Sequence, residues 1–411
     1  MSVAAELLTW REKVIKDTVE YLNGLREFAA PGQERIIDAL IECDMNFTKA
    51  SKLLRTDHRG NQRSLKSLKA KAAAKGYAPA NDMTKPAAEG FTVSGTSTLY
   101  DEAGNLKIQW VKTKADKDQV LTSVLNSFQD AFEGYKATSE LVKSPKISNK
   151  EMLTVYPMGD PHFGMLAWSK ECGESFDLKI AERDLKDAVR NLVDRSPPSH
   201  TAIILNLGDF FHADSKSSTT TAGTDVDTDA RWNKVLNIGA RALIECVYSA
   251  LKKHKQVIVK NVIGNHDEHT SQALALALSL YFENNKRVTV DNSPSKFWFY
   301  RHGKVLIGST HGDSCKPEKL AGVMATDKPL DWGETKHRYW YTGHIHSKNS
   351  MELAGCMWES FRTLAGKDAW HTAQGYRSGR DMSSIHIHER HGEIERHTLS
   401  LSSLREQQNE S

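Results

Sequence analysis

The spacing of apolar positions changes character near residue 150. Before it, the period is helical. Residues 1–30 read as an amphipathic helix, and Ile36, Ile37, Leu40 and Ile41 form one stripe. Asn46 stands where an N-cap belongs for a helix over 47–55 that buries Ala50, Leu53 and Leu54. After a turn containing Gly60, the segment 62–75 buries Leu65, Leu68 and Ala72. Residues 91–112 alternate apolar and polar around a Gly-Asn turn, which predicts a hairpin. Residues 118–143 return to helical spacing, with Val120, Leu121, Val124, Leu125, Phe128, Phe132 and Tyr135 in register. The stretches 78–90 and 144–150 read as linkers. From 151 onward, short apolar runs at 153–158, 202–207, 257–263, 305–307 and 339–342 are separated by helical segments. Buried strands alternating with helices predict an α/β layered fold. The expected division is a helical module over 1–80, a hairpin, helix and linker over 81–150, and an α/β domain over 151–411.

Composition sets limits on this picture. At 411 residues, with 39% apolar and 26% charged positions, the chain is an ordinary globular mix with room for two or three domains. The formal charge of +3 implies no polyanionic partner for the chain as a whole. Its local distribution differs: between 47 and 77 the one acid, Asp57, stands against Lys49, Lys52, Arg55, Arg59, Arg63, Lys66, Lys69, Lys71 and Lys75. No apolar run approaches 18 residues, so no membrane partner is expected. The N-terminus lacks the pattern of a signal peptide. Five scattered cysteines, Cys43, Cys172, Cys246, Cys315 and Cys356, form no CxxC pair, which fits a reduced compartment such as the cytoplasm.

Candidate chemistry follows each apolar run. The first leads to Gly159-Asp160-Pro161-His162, the second to Gly208-Asp209, and the third to Gly264-Asn265-His266-Asp267. The fourth leads to His311-Gly312-Asp313 and the fifth to Gly343-His344-Ile345-His346. Loops at strand ends are where α/β folds place their sites. Carboxylate, amide oxygen and imidazole suit borderline or hard divalent ions. A shared carboxylate can hold two such ions about 4 Å apart, where they clamp a phosphoryl group and lower the pKa of a shared water.

The ordered set D-x-H, G-D, G-N-H-D, H, G-H-x-H, spread over residues 159–346, resembles the calcineurin-like metallophosphoesterases. The resemblance implies a four-layer α/β/β/α sandwich preceded by a smaller helical domain and a β-hairpin. It implies that Asp160, His162 and His346 hold one metal, that Asn265, His311 and His344 hold a second, and that Asp209 bridges both. His266 would face the substrate and protonate the leaving oxygen, paired with Asp267, a role suited to imidazole. The cofactor expected is two divalent ions, Mn foremost, with Fe, Zn, Ni or Mg as alternatives. His212 and Asp214 either shape the loop behind Asp209, or contact substrate or orient a ligand, and His269 poses the same choice. His254 and His302 read as surface or partly buried residues.

The blocks resemble the Ser/Thr protein phosphatase branch less, since the second block lacks that branch's arginine. They look more like the diesterase side of the superfamily, including the SbcD-like nucleases, although His212 stands where those carry an acid. The overall arrangement is similar to phage-encoded members of the superfamily, which would place the protein in a host cytoplasm. The segment 47–75 resembles a helix-turn-helix whose last helix presents Arg59, Arg63, Lys66, Lys69 and Lys71 to nucleic acid; a small bundle with a solvated basic face is the alternative. Residues 358–380 interleave Trp358, Phe361, Trp370 and Tyr376 with basic side chains, either as core and surface or as a platform for bases. The expected function is a phosphodiesterase or nuclease acting on DNA. The alternatives are a phosphatase for phosphoprotein or a small nucleotide, and a DNA-binding protein with secondary phosphoesterase activity. A homo-oligomer stays open.

Overall fold

The structure, a computed structural model, describes residues 17–85, 87, 91–115, 122, 124–128, 132 and 142–404. The chain divides into two compact units, residues 1–120 and 121–411. The hairpin at 91–115 falls in the first of these units and the α/β segment from 151 in the second. The hairpin belongs with the helices because Tyr100 donates its hydroxyl hydrogen to Asp82 (2.7 Å) and the Gln109 amide donates to the Asn81 carbonyl (2.9 Å).

In the first unit, residues 17–24 are helical, and α1 (Pro31–Glu42), α2 (Phe47–Leu54) and α3 (His58–Ala74) follow. Leu25, Ile37, Leu40, Leu65, Leu68 and Ala72 meet in their shared core. Asn46 caps α2 by accepting from the Thr48 and Lys49 amides. The third helix starts four residues earlier than the apolar pattern predicts. Asp57 caps it by accepting from the Gly60 amide at 2.6 Å, so Gly60 lies in the first turn of α3 and not in a loop. Strands β1 (Phe91–Tyr100) and β2 (Leu106–Ala115) form the antiparallel hairpin.

In the second unit, residues 124–128 are helical with Val124 and Phe128 buried, while Val120, Leu121 and Tyr135 of the expected helix lie outside the described residues. Two sheets follow. One contains β3 (Asn149–Met158), β4 (Ser199–Asn206), β5 (Gln256–Asn261), β6 (Val288–Asp291), β12 (Asp381–His388) and β13 (Gly392–Ser400), in the order β13-β12-β3-β4-β5-β6. The other contains β7 (Trp298–His302), β8 (Val305–Ser309), β9 (His337–Thr342), β10 (Asn349–Leu353) and β11 (Cys356–Ser360), in the order β10-β11-β9-β8-β7. Leu153, Val155, Ile203 and Leu205 of the first sheet pack against Trp298, Val305, Ile307 and Tyr341 of the second. The opposite face of the first sheet carries α4 (Leu178–Arg195), α5 (Trp232–Lys253) and α6 (Glu268–Tyr281). The opposite face of the second packs Leu306, Trp340 and Trp358 on Leu320 and Met324 of α7 (Pro317–Asp327). The unit is thus an α/β/β/α sandwich.

Strands β3 to β6 run parallel, as do β8, β9 and β11. The five predicted apolar runs fall on β3, β4, β5, β8 and β9, each of which ends in a run of buried positions. No helix among the described residues is long and apolar enough to cross a membrane. All five cysteines are free thiols.

Candidate metal centre

Because the strands are parallel, their C-terminal ends lie on one edge of each sheet. Asp160 and His162 follow β3, Asp209 follows β4 and Asn265 follows β5. His311 follows β8, and His344 and His346 follow β9. Main-chain bonds lace these loops together. The His162 amide donates to the Asp209 carbonyl (3.0 Å), the His212 amide to Phe163 (3.0 Å) and the Gly343 amide to His311 (3.0 Å). Asp160, His162, Asp209 and His311 are buried, while Asn265, His344 and His346 are half-buried. A buried carboxylate is costly unless a cation or donors meet it.

All seven side chains converge. One donor group contains Asp160, His162 and His346, and the other contains Asp209, His311 and His344. His162 Nε2 lies 3.2 Å from His346 Nε2, which is 3.6 Å from Asp160 Oδ1. His311 Nε2 lies 3.1 Å from Asp209 Oδ2, 3.0 Å from Asn265 Oδ1 and 3.3 Å from His344 Nδ1. Donors about 2.0–2.1 Å from a tetrahedral ion sit about 3.3 Å from each other. The measured separations match that edge, and the N/O donor set suits zinc- or manganese-type cations. The residues present fit a pair of divalent ions.

Supporting groups hold the donors in place. His311 Nδ1 donates to the Leu207 carbonyl (2.9 Å), which turns Nε2 into the centre. The His344 amide donates to both oxygens of Asp160 (3.0 and 3.1 Å), and the His266 amide donates to Asp209 Oδ1 (2.8 Å). Burial pushes Asp209 up, but His311 beside it outweighs this and holds the carboxyl well below the usual range. Burial and then His266 hold His162 well below the ordinary imidazole value, and burial and then His311 lower His344. Burial pulls His311 down, but Asp209 outweighs this and pushes it up to about 10, so this ring gives up a proton on binding a metal, since neutral imidazole and ionised carboxylate are the forms that bind.

The expected pairing of His266 with Asp267 is not formed. His266 Nδ1 donates instead to the His212 carbonyl (2.9 Å). Asp267 turns inward, accepting from the Phe211 amide (2.9 Å), and burial followed by Asp209 pushes its carboxyl up to about 8. His212 is buried, with Nδ1 3.1 Å from His162 Nδ1, so it orients that ring. Asp214 accepts from the His269 and Thr270 amides (3.1 and 2.8 Å) and from His269 Nδ1 (2.6 Å). It therefore caps α6, and His269 joins it there. His254 is fully buried between Tyr156 and Ser199, deeper than the surface or partly buried position expected: burial at the end of α5 is made tolerable by hydrogen bonds between its two ring nitrogens and the two hydroxyls (2.8 Å each). His302 is half-buried on the Glu151 carbonyl (3.0 Å).

A cavity of about 820 Å³ opens over the centre, lined by Asp209, Asn265, His266, His344 and His346. Its wall also contains Asp368, Trp370, His371 and Tyr376. His371 stacks on His346 at 4.9 Å and is bound to Asp368 (2.7 Å). The sequence carried no metal-type block to mark Asp368. Trp358 and Phe361, from the same aromatic segment, are core residues, whereas Trp370 and Tyr376 are exposed and stack on each other at 5.8 Å. In the first unit, Arg59, Arg63, Lys66, Lys69 and Lys71 are all exposed on α3. Lys69 lies over the Tyr21 ring (5.1 Å) and Lys71 donates to the Phe28 carbonyl (2.9 Å), so these two also serve the unit's own packing.

No family model matches the chain, and no curated protein matches it. Among solved structures it is similar to a conserved uncharacterized protein of Streptococcus pneumoniae described as a predicted phosphoesterase, at 11% identity and a TM-score of 0.25, covering 61% of this chain and 98% of that one. It is also similar to wild-type Vps29 of Entamoeba histolytica complexed with zinc, at 12% identity and a TM-score of 0.25, covering 60% and 99%. A Vps29 of Cryptosporidium parvum matches at 13% identity and a TM-score of 0.20, covering 36% and 83%.

Proposed function

We propose that the protein is a metal-dependent phosphoesterase, and specifically a phosphodiesterase acting on nucleic acid, DNA before RNA, with two divalent cations, Mn foremost. The observation that carries the reading is the convergence of donors from five strand ends into two groups with ligand-like separations. Asp160, His162 and His346 would hold one cation, Asn265, His311 and His344 the other, and Asp209 both. Two cations so held polarise a phosphoryl oxygen and lower the pKa of a shared water. His266 lines the cavity with Nδ1 committed to the His212 carbonyl, so its Nε2 is the atom that hands a proton to the leaving oxygen. His212 keeps His162 in orientation. Trp370 and Tyr376 offer a face on which a base can stack. Arg59, Arg63 and Lys66, without partners among the described residues, supply phosphate contacts.

The test is hydrolysis of bis-p-nitrophenyl phosphate and of defined DNA and RNA by protein loaded with Mn²⁺. Diester hydrolysis should vanish in Asp209→Ala together with bound metal at both positions. An Asp209→Ala protein that keeps metal and activity would sink the reading. Activity on the small diester with single- and double-stranded DNA and RNA left intact would remove only the nucleic-acid part.

One observation favours the same chemistry on a small nucleotide. Asp225, Asp227 and Asp368 line the cavity, and no Lys or Arg among the described residues does. Such a wall repels the flanking phosphates of a polymer more than it repels a single diester. Preference for a cyclic or mononucleotide diester over DNA would decide for this reading.

A further inference from the structure

We propose that His386, Glu395 and His397 form a separate binding site for a single zinc-type divalent cation, on the paired strands β12 and β13 and sharing no residue with the candidate metal centre. Their placement follows from strand register. His386 stands directly opposite Glu395, and His397 stands opposite Ser384, two positions away on the same face. One donor atom from each lies within 4.8 Å of the other two. His386 Nδ1 is 3.8 Å from Glu395 Oε2, His397 Nε2 is 3.4 Å from Glu395 Oε1, and the two rings meet edge-on with centroids 5.0 Å apart.

The second observation is an orphaned atom. His386 is fully buried, and its Nδ1 has no hydrogen-bond partner. Its other nitrogen, Nε2, lies 3.2 Å from Ser384 Oγ and 3.3 Å from Ser196 Oγ. Ser196 Oγ donates its own proton to the Leu192 carbonyl (2.7 Å), so it accepts from Nε2–H. This selects the tautomer whose Nδ1 lone pair faces the Glu395 carboxylate, as outer-shell partners do for metal-binding histidines. A lone pair facing a carboxylate is unfavourable unless a cation lies between them, and 3.8 Å is too long for a direct hydrogen bond. Two imidazoles and one carboxylate make a three-ligand zinc set with a fourth position for water. Glu395 and His397 have side chains 58% and 34% exposed, so the ion can enter from solvent. A cation here would tie β13, the edge strand of the six-stranded sheet, to its neighbour.

The test uses full-length protein stripped with a chelator and dialysed against Zn²⁺, with zinc per chain counted by mass spectrometry. Wild type should hold one more zinc than His397→Ala or Glu395→Gln, with Mn²⁺-supported hydrolysis of bis-p-nitrophenyl phosphate unchanged in both. In an Asp209→Ala background, which removes the cations of the candidate centre, one zinc should remain and be lost on adding His397→Ala. Ser196→Ala should weaken this zinc by about 10-fold or more through loss of the tautomer partner. An equal zinc count in wild type, His397→Ala and Glu395→Gln overturns the proposal, whatever the phosphoesterase assays show.

Discussion

The glycine that opens the third block, Gly264, offers a sharp test of how the centre is built. A Cβ on Gly264 would fall 2.0 Å from Asp209 Oδ1, 2.3 Å from the Asp209 amide nitrogen and 2.9 Å from its Cγ. Contacts under 3.0 Å force something to move, so in Gly264→Ala the carboxylate must withdraw by about 1 Å and the backbone by about 0.7 Å. Neither move is free. Asp209 Oδ1 accepts from the His266 amide at 2.8 Å, and the Asp209 carbonyl accepts from His162 at 3.0 Å. Overpacking of this kind lowers stability by about 1–3 kcal/mol. A 1 Å misplacement in a reacting constellation costs on the order of 10²-fold in rate. Gly264→Ala should therefore lower kcat/KM on bis-p-nitrophenyl phosphate by about 100-fold or more, reduce bound Mn²⁺, and leave a cooperative unfolding transition. Gly322→Ala is the control, because a Cβ there meets nothing within 4 Å. It should stay within about twofold of wild type, since an exposed helix position gains from Ala. A Gly264→Ala enzyme with wild-type kcat/KM and metal content would refute the reasoning that this glycine makes room for the shared carboxylate.

His266→Ala should keep both cations and slow turnover by roughly 10²–10⁴-fold, the usual contribution of a general acid; full activity with metal retained would remove His266 from the chemistry. Replacing Arg59, Arg63 and Lys66 together by Ala should weaken DNA binding and lower the salt slope of log K by about 0.9 per charge, read from titrations at several salt concentrations. An unchanged slope would make that face a solvated surface. Acid sensitivity should report on His254. Burial holds its pKa down at about 4 against an unfolded value of 6.5, so the unfolded chain binds the proton first as pH falls. The stability present above about pH 6.5 is lost progressively toward pH 4, by about 3 kcal/mol at most. Urea unfolding of wild type and His254→Gln over pH 7.5 to 4.5 checks this, the variant showing the shallower fall.

The legibility of this chain varies with burial. Strands β3, β4, β5, β8 and β9 have seven, five or fewer consecutive buried positions at their C-terminal ends, and an apolar run reports burial directly. The metal-type residues stand out for the same reason: a polar block after such a run has no packing explanation. Strands β10 and β12 were not readable. Strand β10 is exposed along nearly its whole length, and β12 buries Ser383, Ser384 and His386 among its apolar residues, so neither shows a clean period. Their place in a sheet is set by neighbours distant in the chain. The start of α3 was misjudged because Gly60 reads as a turn, whereas the capping bond from Asp57 outweighs one unfavourable glycine. The orientation of His266 was out of reach for a different reason. Its partner is a backbone carbonyl, which every residue possesses, and sequence cannot say which carbonyl will face it.

The centre also explains why two sheets are needed. Asp160 and His162 follow β3 as an i, i+2 pair, and His344 and His346 follow β9 in the same spacing, and all four have positive φ. With Asp209 they make five of the ten non-glycine residues in that conformation among those described, each carrying on the order of 1 kcal/mol of backbone strain. An extended pair sends i and i+2 to one side of a strand. A left-handed residue at each position bends the chain back so that both side chains aim at the sheet edge and not along it. One sheet alone can supply such a pair from one direction only. Two stacked sheets with parallel strands bring two pairs face to face, and His162 meets His346 at 3.2 Å where the edges join. Asp209 and His311 then close the space from the adjacent strand of each sheet, at 3.1 Å. The strain is therefore a consequence of enclosing the site between layers. A strand-end residue with positive φ and a metal-type side chain is a better marker of this centre than any of its histidines taken alone.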